Sequence, residues 1–181
     1  MVYVALLRGI NVGGNSKVEM SRLRAMFIEL GCQDVLTYIN SGNVIFRDHR
    51  SAQELVSLIE SEIAKEFGFN VRIVIRDFDN ISKLNSEIPL DWTNDTVRRT
   101  DVMFLWDKFD NADAVNMVAI KPEIETIRYI EGALVWNIGR ENVRRGAAAK
   151  LIGSDIYKHM TIRNINTVRK LYELMKPLAD Q

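Results

Sequence analysis

The residues with the most chemistry to offer lie close together in Arg8-Gly9-Ile10-Asn11-Val12-Gly13-Gly14-Asn15-Ser16-Lys17. Three glycines open backbone conformations closed to residues with a Cβ and allow close approach to the main chain. Two asparagines, a serine and two cations flank them. A loop of this kind between a strand and a helix can hold an anion on its N–H groups. It carries neither common phosphate fingerprint. Dinucleotide binding asks for Gly-x-Gly-x-x-Gly, whereas the glycines here are Gly9, Gly13 and Gly14. A P-loop ends Gly-Lys-Ser or Gly-Lys-Thr, whereas this loop ends Gly14-Asn15-Ser16-Lys17. On spacing alone, a tight turn outweighs a phosphate site.

Three further groups bear on binding. Asn40-Ser41-Gly42-Asn43 is turn chemistry, and its amide and hydroxyl groups can serve a ligand or simply bond the turn backbone. Arg163-Asn164-Ile165-Asn166-Thr167 opens the last helical stretch. A helix N-terminus carries about half a positive charge, which Arg163 would reinforce for an anion. The plainer role of Asn164 or Thr161 is to cap backbone donors. Arg140, Arg144, Arg145 and Lys150, opposed locally only by Glu141, could meet nucleic acid or an acidic partner, with a solvated face as the default. Arg140 and Arg144 share a face if the segment is helical.

Catalytic groups are sparse. His49 and His159 have no Cys/His company at zinc spacing. Cys32 has no evident base, and a buried free cysteine is ordinary. Asp77 and Asp79 beside Arg76 read as a solvated loop more readily than as a metal site. No metal and no cofactor are expected.

Bulk properties narrow the class. The chain has 181 residues, 47% of them hydrophobic, with 24 basic and 24 acidic side chains. Zero net charge disfavours a dedicated duplex-DNA binder but not a local basic patch. A single cysteine allows no internal disulfide and fits a reducing cytosol. Arg8 interrupts the first apolar run too early for a signal segment. No run approaches a membrane span. A soluble cytoplasmic protein without a membrane partner is expected.

The elements that must position these groups follow from periodicity. Val2 to Leu7 is a buried strand. Leu23, Met26, Phe27 and Leu30 mark a helix stopped by Gly31. Val35–Ile39 and Val44–Phe46 form a hairpin. Ser51-Ala52-Gln53-Glu54 is a capping box for a second helix ending at Gly68. Val71 to Arg76 is a strand, and a short helix over Asp77–Glu87 follows. The order strand, helix, strand, strand, helix, strand is the ferredoxin-like pattern. Pro89 to Arg99 reads as a linker. The pattern then restarts: a strand over Asp101–Trp106, a shorter helix near Ala112–Ile120, a hairpin around Glu131-Gly132, and a largely helical Glu141–Lys158 with breaks at Gly146 and Gly153. A short strand over His159–Arg163 and a final helix ending before Pro177 complete it. The expected fold is α+β: two ferredoxin-like halves in tandem, antiparallel sheets with helices on one face, over residues 1–88 and 100–181 with 89–99 as linker. In such a unit the first two strands run parallel, so Gly9–Lys17 and Asn40–Asn43 should be neighbours.

Tyr3 through Gly14, then Lys17-Val18 and Met20, then Thr37 through Val44, resemble the bacterial domain-of-unknown-function family DUF1697. Thr161 through Leu171 is similar to its C-terminal signature. Ile165 replaces a usual aromatic and Asn40 a frequent Gln. The resemblance implies a tandem of two ferredoxin-like halves and supplies motif positions, but no reaction. The leading expectation is a binding module for an anionic ligand, either a phosphorylated small molecule or a nucleic-acid segment. Its residues are Arg8, Asn11, Gly13, Gly14, Lys17, Asn40, Ser41 and Asn43, with Arg163 and Asn164 as a second candidate. The alternatives are a small-molecule enzyme with a site between the halves and an interaction module without a ligand.

Overall fold

The computed structural model describes residues 1–13 and 16–181, and all their side chains except those of Ala148 and Ala149. Two compact units divide the chain: Met1–Ile81 with Leu171–Gln181, and Ser82–Lys170. Residues 89–99 fall inside the second unit.

The first unit is built on β1 (Val2–Leu7), whose six residues are all buried. That is why it reads as a continuous apolar run rather than an alternating one. After it come α1 (Met20–Glu29), β2 (Gln33–Tyr38), β3 (Asn43–Arg47), α2 (Ala52–Phe67) and β4 (Ile73–Asp77). The strands lie in the order β2-β3-β1-β4, every neighbouring pair antiparallel. Tyr3, Ala5 and Leu7 share one face of β1 and pack with Leu23, Phe27, Leu55 and Ile59 of the two helices. Phe27 meets Phe46 edge-on at 5.1 Å. Both helix ends behave as the sequence predicts. Ser51 and Glu54 complete the capping box, and Gly31 and Gly68 take left-handed φ of 87° and 77°.

The chain continues through α3 (Phe78–Glu87) into the second sheet. This comprises β5 (Arg98–Leu105), β6 (Glu125–Ile130), β7 (Ala133–Gly139) and β8 (Met160–Asn164). Its order, β6-β7-β5-β8, repeats that of the first sheet strand for strand, again fully antiparallel. The core holds Met103, Leu105, Leu134, Trp136 and Ile138.

The connections depart from expectation in three places. The helix expected near Ala112–Ile120 is a 3-10 segment, Ala112–Met117. Ala112 is exposed and only Ala114 and the cap residue Val118 are buried, too little packed apolar face to hold a full α-helix. The expected helix over Glu141–Lys158 is a 3-10 turn at Arg140–Asn142 and two short helices, α4 (Ala148–Leu151) and α5 (Asp155–Lys158). Arg140 and Arg144 therefore do not share a helix face. The last helix, α6 (Ile165–Ala179), runs through Pro177 instead of stopping before it. Pro177 lies in the last turn, where only the end of the hydrogen-bond ladder is lost. Among the described residues, no helix is long and apolar enough to cross a membrane.

Candidate functional site

β1 and β2 both run antiparallel to β3, so their C-terminal ends lie at the same edge of the first sheet. The loop after β1 and the β2–β3 hairpin meet there. The Leu7 N–H donates to the Gly42 carbonyl at 2.8 Å, and the Arg8 N–H to the Arg72 carbonyl at 2.9 Å. A Cβ on Gly42 would stand 2.6 Å from Ile10 Cδ1 and 2.7 Å from Leu7 Cβ, and its φ is 77°. Only glycine lets the two loops close this tightly.

The side chain that joins them is Asn11. Its Nδ2 donates to the Val18 carbonyl at 2.9 Å and to the Asn40 carbonyl at 2.8 Å, while its Oδ1 accepts from the Val18 N–H at 2.8 Å. Its backbone N–H reaches the Ser16 carbonyl at 3.1 Å. Asn11 thus serves the loop itself. Asn43 does likewise: it is fully buried, and Nδ2 donates to the Tyr38 carbonyl and to Ser41 Oγ at 2.9 and 3.1 Å. Lys17 and Asn40 are exposed, and Arg8 and Ser41 half-buried, at the same end. Gly13 is exposed with φ of 63°. Gly14 lies outside the described residues.

Sequence reasoning missed Ile39 here, reading it as the end of a strand. It adopts φ of 51°, an outlier for a β-branched residue, and is 47% exposed. Val12 on the facing loop is 62% exposed. No local signal marks Ile39, because its residue type argues for extended backbone.

The second candidate divides into a cap and a buried cation. Asn164 Oδ1 accepts from the Thr167 N–H at 2.9 Å at the start of α6. Arg163 is 7% exposed, and its Nη1 donates to Thr161 Oγ1 and to the Ile162 carbonyl. Burial lowers its guanidinium to about 10. Both residues belong to the second unit.

At the opposite edge of the first sheet, Cys32 does have partners. Its thiol donates to Asp48 Oδ2 at 3.4 Å, and Asp48 is ion-paired with Arg50 at 2.5 Å. Burial, then the Asp48 hydrogen bond, pushes the thiol up to about 12, so it stays protonated at neutral pH and is no nucleophile. The Arg50 hydrogen bond holds Asp48 well below the usual carboxylate range. Arg50 also donates to the Leu30 carbonyl, and Tyr3 donates to that of Arg50. The cluster clamps the end of α1 to the start of α2. Asp77 caps α3 through the Asn80 N–H. Among the described residues no group of three ligating side chains could hold a metal.

The second unit closes the corresponding end with the same backbone bonds. The Leu105 N–H donates to the Gly132 carbonyl, as Leu7 does to Gly42, and the Trp106 N–H to the His159 carbonyl, as Arg8 does to Arg72. The side-chain tie is Asp110, whose Oδ1 accepts from Tyr129 Oη at 2.9 Å and from the Gly132 N–H at 2.8 Å. Asn11 follows the last strand residue by four positions and Asp110 by five, a similar but not identical placement. The connection after β5 (residues 106–124) has no glycine and begins with Trp106 where the first has Arg8; its cation at this end, Lys108, lies 4.9 Å over the Phe109 ring and 4.0 Å from Asp155.

Comparison with known proteins agrees with this architecture. No curated protein matches the sequence. A solved structure of a conserved bacterial protein from Streptococcus pneumoniae is similar to it at 29% identity, with a TM-score of 0.83, covering 96% of this chain and 98% of that one. The sequence profile of DUF1697, described as a protein of unknown function, matches residues 1–136. With the loop motif and the first hairpin inside the matched region, which spans most of the sequence, the chain belongs to the DUF1697 family.

Proposed function

We propose that each half is a ferredoxin-like unit and that the first half binds an anionic group at the end formed by Gly9–Lys17 and Asn40–Asn43. The fold reading rests on the antiparallel order shared by both sheets. The functional reading rests on one observation, the contrast between the two halves at the same end. Both close it with matching backbone bonds and a polar side-chain tie. Those features belong to the architecture. Gly9, Gly13 and Arg8 have no counterpart in the second half, where Trp106 follows β5 and the nearby Lys108 is turned to Phe109 and Asp155, so the fold does not require them. Loops seated on a rigid sheet are where binding residues usually lie. Arg8, Lys17, Asn40 and Ser41 are the groups assigned to the ligand, with Asn11 and Asn43 holding them in place. The ligand class is a phosphorylated or carboxylated small molecule, and a single buried free cysteine agrees with a cytoplasmic setting.

Thermal shift tests this against orthophosphate, nucleotides and sugar phosphates, with wild type beside Arg8→Ala and Lys17→Ala. A charge-assisted hydrogen bond contributes roughly 1.5–3 kcal/mol, so either substitution should weaken binding about tenfold or more. Stabilisation by one of these anions, lost in both variants, supports the site. No shift with wild type, or a shift that survives both substitutions, refutes it.

A further inference from the structure

The basic segment after β7 is separate from the loops above. Arg144, Arg145 and Lys150 are all exposed. Arg145 Nη1 donates only weakly, to Asn142 Oδ1 at 3.3 Å. The nearby acid does not oppose them. Glu141 folds back so that a Cβ on Gly139 would collide with its carboxylate, and it accepts from Asn142 Nδ2 at 3.2 Å.

The turn carrying these cations is fixed at both ends. At its start, Arg140 donates to the Asp95 carbonyl and to Asn94 Oδ1 at 2.8 and 3.0 Å. At its far side, the buried Glu125 carboxylate accepts from the Ala147 N–H at 2.9 Å, from the Lys121 N–H at 2.7 Å and from the Trp136 indole at 2.7 Å. Gly146 sits so close that a Cβ would meet Ile138 Cδ1 at 2.6 Å. A buried carboxylate held by neutral donors is an expensive anchor for a mere surface turn. It sets the backbone that carries Arg144 and Arg145 before any partner arrives, which lowers the cost of binding.

We propose that this turn binds the phosphate backbone of single-stranded nucleic acid. Side chains of adjacent residues diverge, so Arg144 and Arg145 reach different phosphates rather than clamping one small anion. Lys150 adds a third charge further along. Ile152, 68% exposed, offers an apolar contact to an unstacked base or ribose. Zero net charge on the whole chain suits a local strand contact better than a duplex track.

The test is fluorescence anisotropy of a labelled single-stranded RNA of about 20 nucleotides across a salt series. Arms are wild type, Arg144→Ala with Arg145→Ala, Lys150→Ala, and Arg8→Ala with Lys17→Ala. Circular dichroism confirms that each variant is folded, since every position substituted is exposed except the half-buried Arg8. Each phosphate contact contributes about −0.7 to the slope of log affinity against log salt. Wild type should show a slope near −2, and the Arg144/Arg145 variant one near −0.7 with at least about tenfold weaker binding at low salt. The Arg8/Lys17 variant should bind RNA as wild type does, so this result is separable from the fate of the anion site. Absence of binding at low salt overturns the proposal. So does binding that survives loss of both arginines, or one lost with Arg8 and Lys17 instead. Competition by polyglutamate equal to that of unlabelled RNA would assign the turn to an acidic protein and likewise overturn it.

Discussion

Replacing Asn11 with alanine removes three side-chain hydrogen bonds, two from Nδ2 and one to Oδ1, all between 2.8 and 2.9 Å. Each contributes about 0.5–1.5 kcal/mol net. The Val18 N–H is left at a residue only 3% exposed, and an orphaned buried donor sits at the costly end of that range. Alanine must also hold φ of 56°, which costs roughly 1–2 kcal/mol more than a right-handed conformation and suits Asn better than Ala. The sum is about 3.5–6.5 kcal/mol, a large part of a typical total of about 5–15 kcal/mol. At roughly 2–4 °C per kcal/mol for a chain of this size, the melting temperature falls by about 10–20 °C. Urea unfolding followed by circular dichroism measures it directly.

Two companion variants separate the contributions. Asn11→Gly relieves the backbone but not the hydrogen bonds, so it should recover only about 1 kcal/mol. Asn11→Asp keeps the acceptor for the Val18 N–H but turns its other oxygen toward the Val18 and Asn40 carbonyls. Ionisation is then disfavoured in the folded state and the folded pKa rises above about 3.9. The penalty is full above the folded pKa and disappears below the unfolded one, so this variant gains stability relative to wild type as pH falls. An Asn11→Ala variant within 1 kcal/mol of wild type, taking about 1 kcal/mol as the resolution of such measurements, would show that the loops do not depend on the tie.

Ile39→Asn should raise stability by about 1 kcal/mol, because Asn tolerates the left-handed region and Ile does not; a fall in the urea midpoint would count against strain at that position. Asp48→Asn should cost about 2–3 kcal/mol at neutral pH by breaking a pair whose acid is buried. The lowered Asp48 pKa gives stability that is present above about pH 4 and lost as pH falls through the folded value. The difference between Asp48→Asn and wild type should therefore shrink in acid, and a gap constant with pH would refute the assignment. Cys32, with its thiol pushed up to about 12, should react with a thiol-specific disulfide reagent at pH 8 (about half a unit below a free thiol's ordinary value) only after denaturation. Rapid reaction of the native protein would contradict its burial.

Much of the frame is legible in the sequence because it rests on local signals. The capping box at Ser51 and Glu54, the glycines at 31 and 68, and the two hairpins all announce themselves by residue type. Strand order follows from element order, and from it the meeting of the two loops. What stayed hidden depends on tertiary context. Glu125 carries no local signal, and only the folded chain shows it collecting three N–H groups. Ile39 reads as strand, since its type argues against the conformation that the hairpin imposes. Cys32 reads as solitary because its partners Asp48 and Arg50 come from a different connection. The 3-10 segments were hidden by an apolar spacing close to that of an α-helix.

Strain supplies an independent argument for the first-unit loop end. Four non-glycine residues have positive φ among the described residues: Asn11, Ser16, Asp34 and Ile39. All four belong to the first unit, and three of them line this one edge. Each costs of order 1–3 kcal/mol and persists only where surrounding contacts over-determine it. Here those contacts are the Leu7–Gly42 and Asn11–Ser16 backbone bonds and the Asn11 side chain. The second unit closes the matching end with Asp110 and no non-glycine residue of positive φ among those described. The topology can therefore be closed without strain of this kind. The strained version holds Arg8, Lys17, Asn40 and Ser41 on a backbone already set, so a ligand would meet them with little left to order. Relieving that strain at Ile39 should then stabilise the protein while weakening the anion-dependent thermal shift. Gains in both together would separate the strain from the binding.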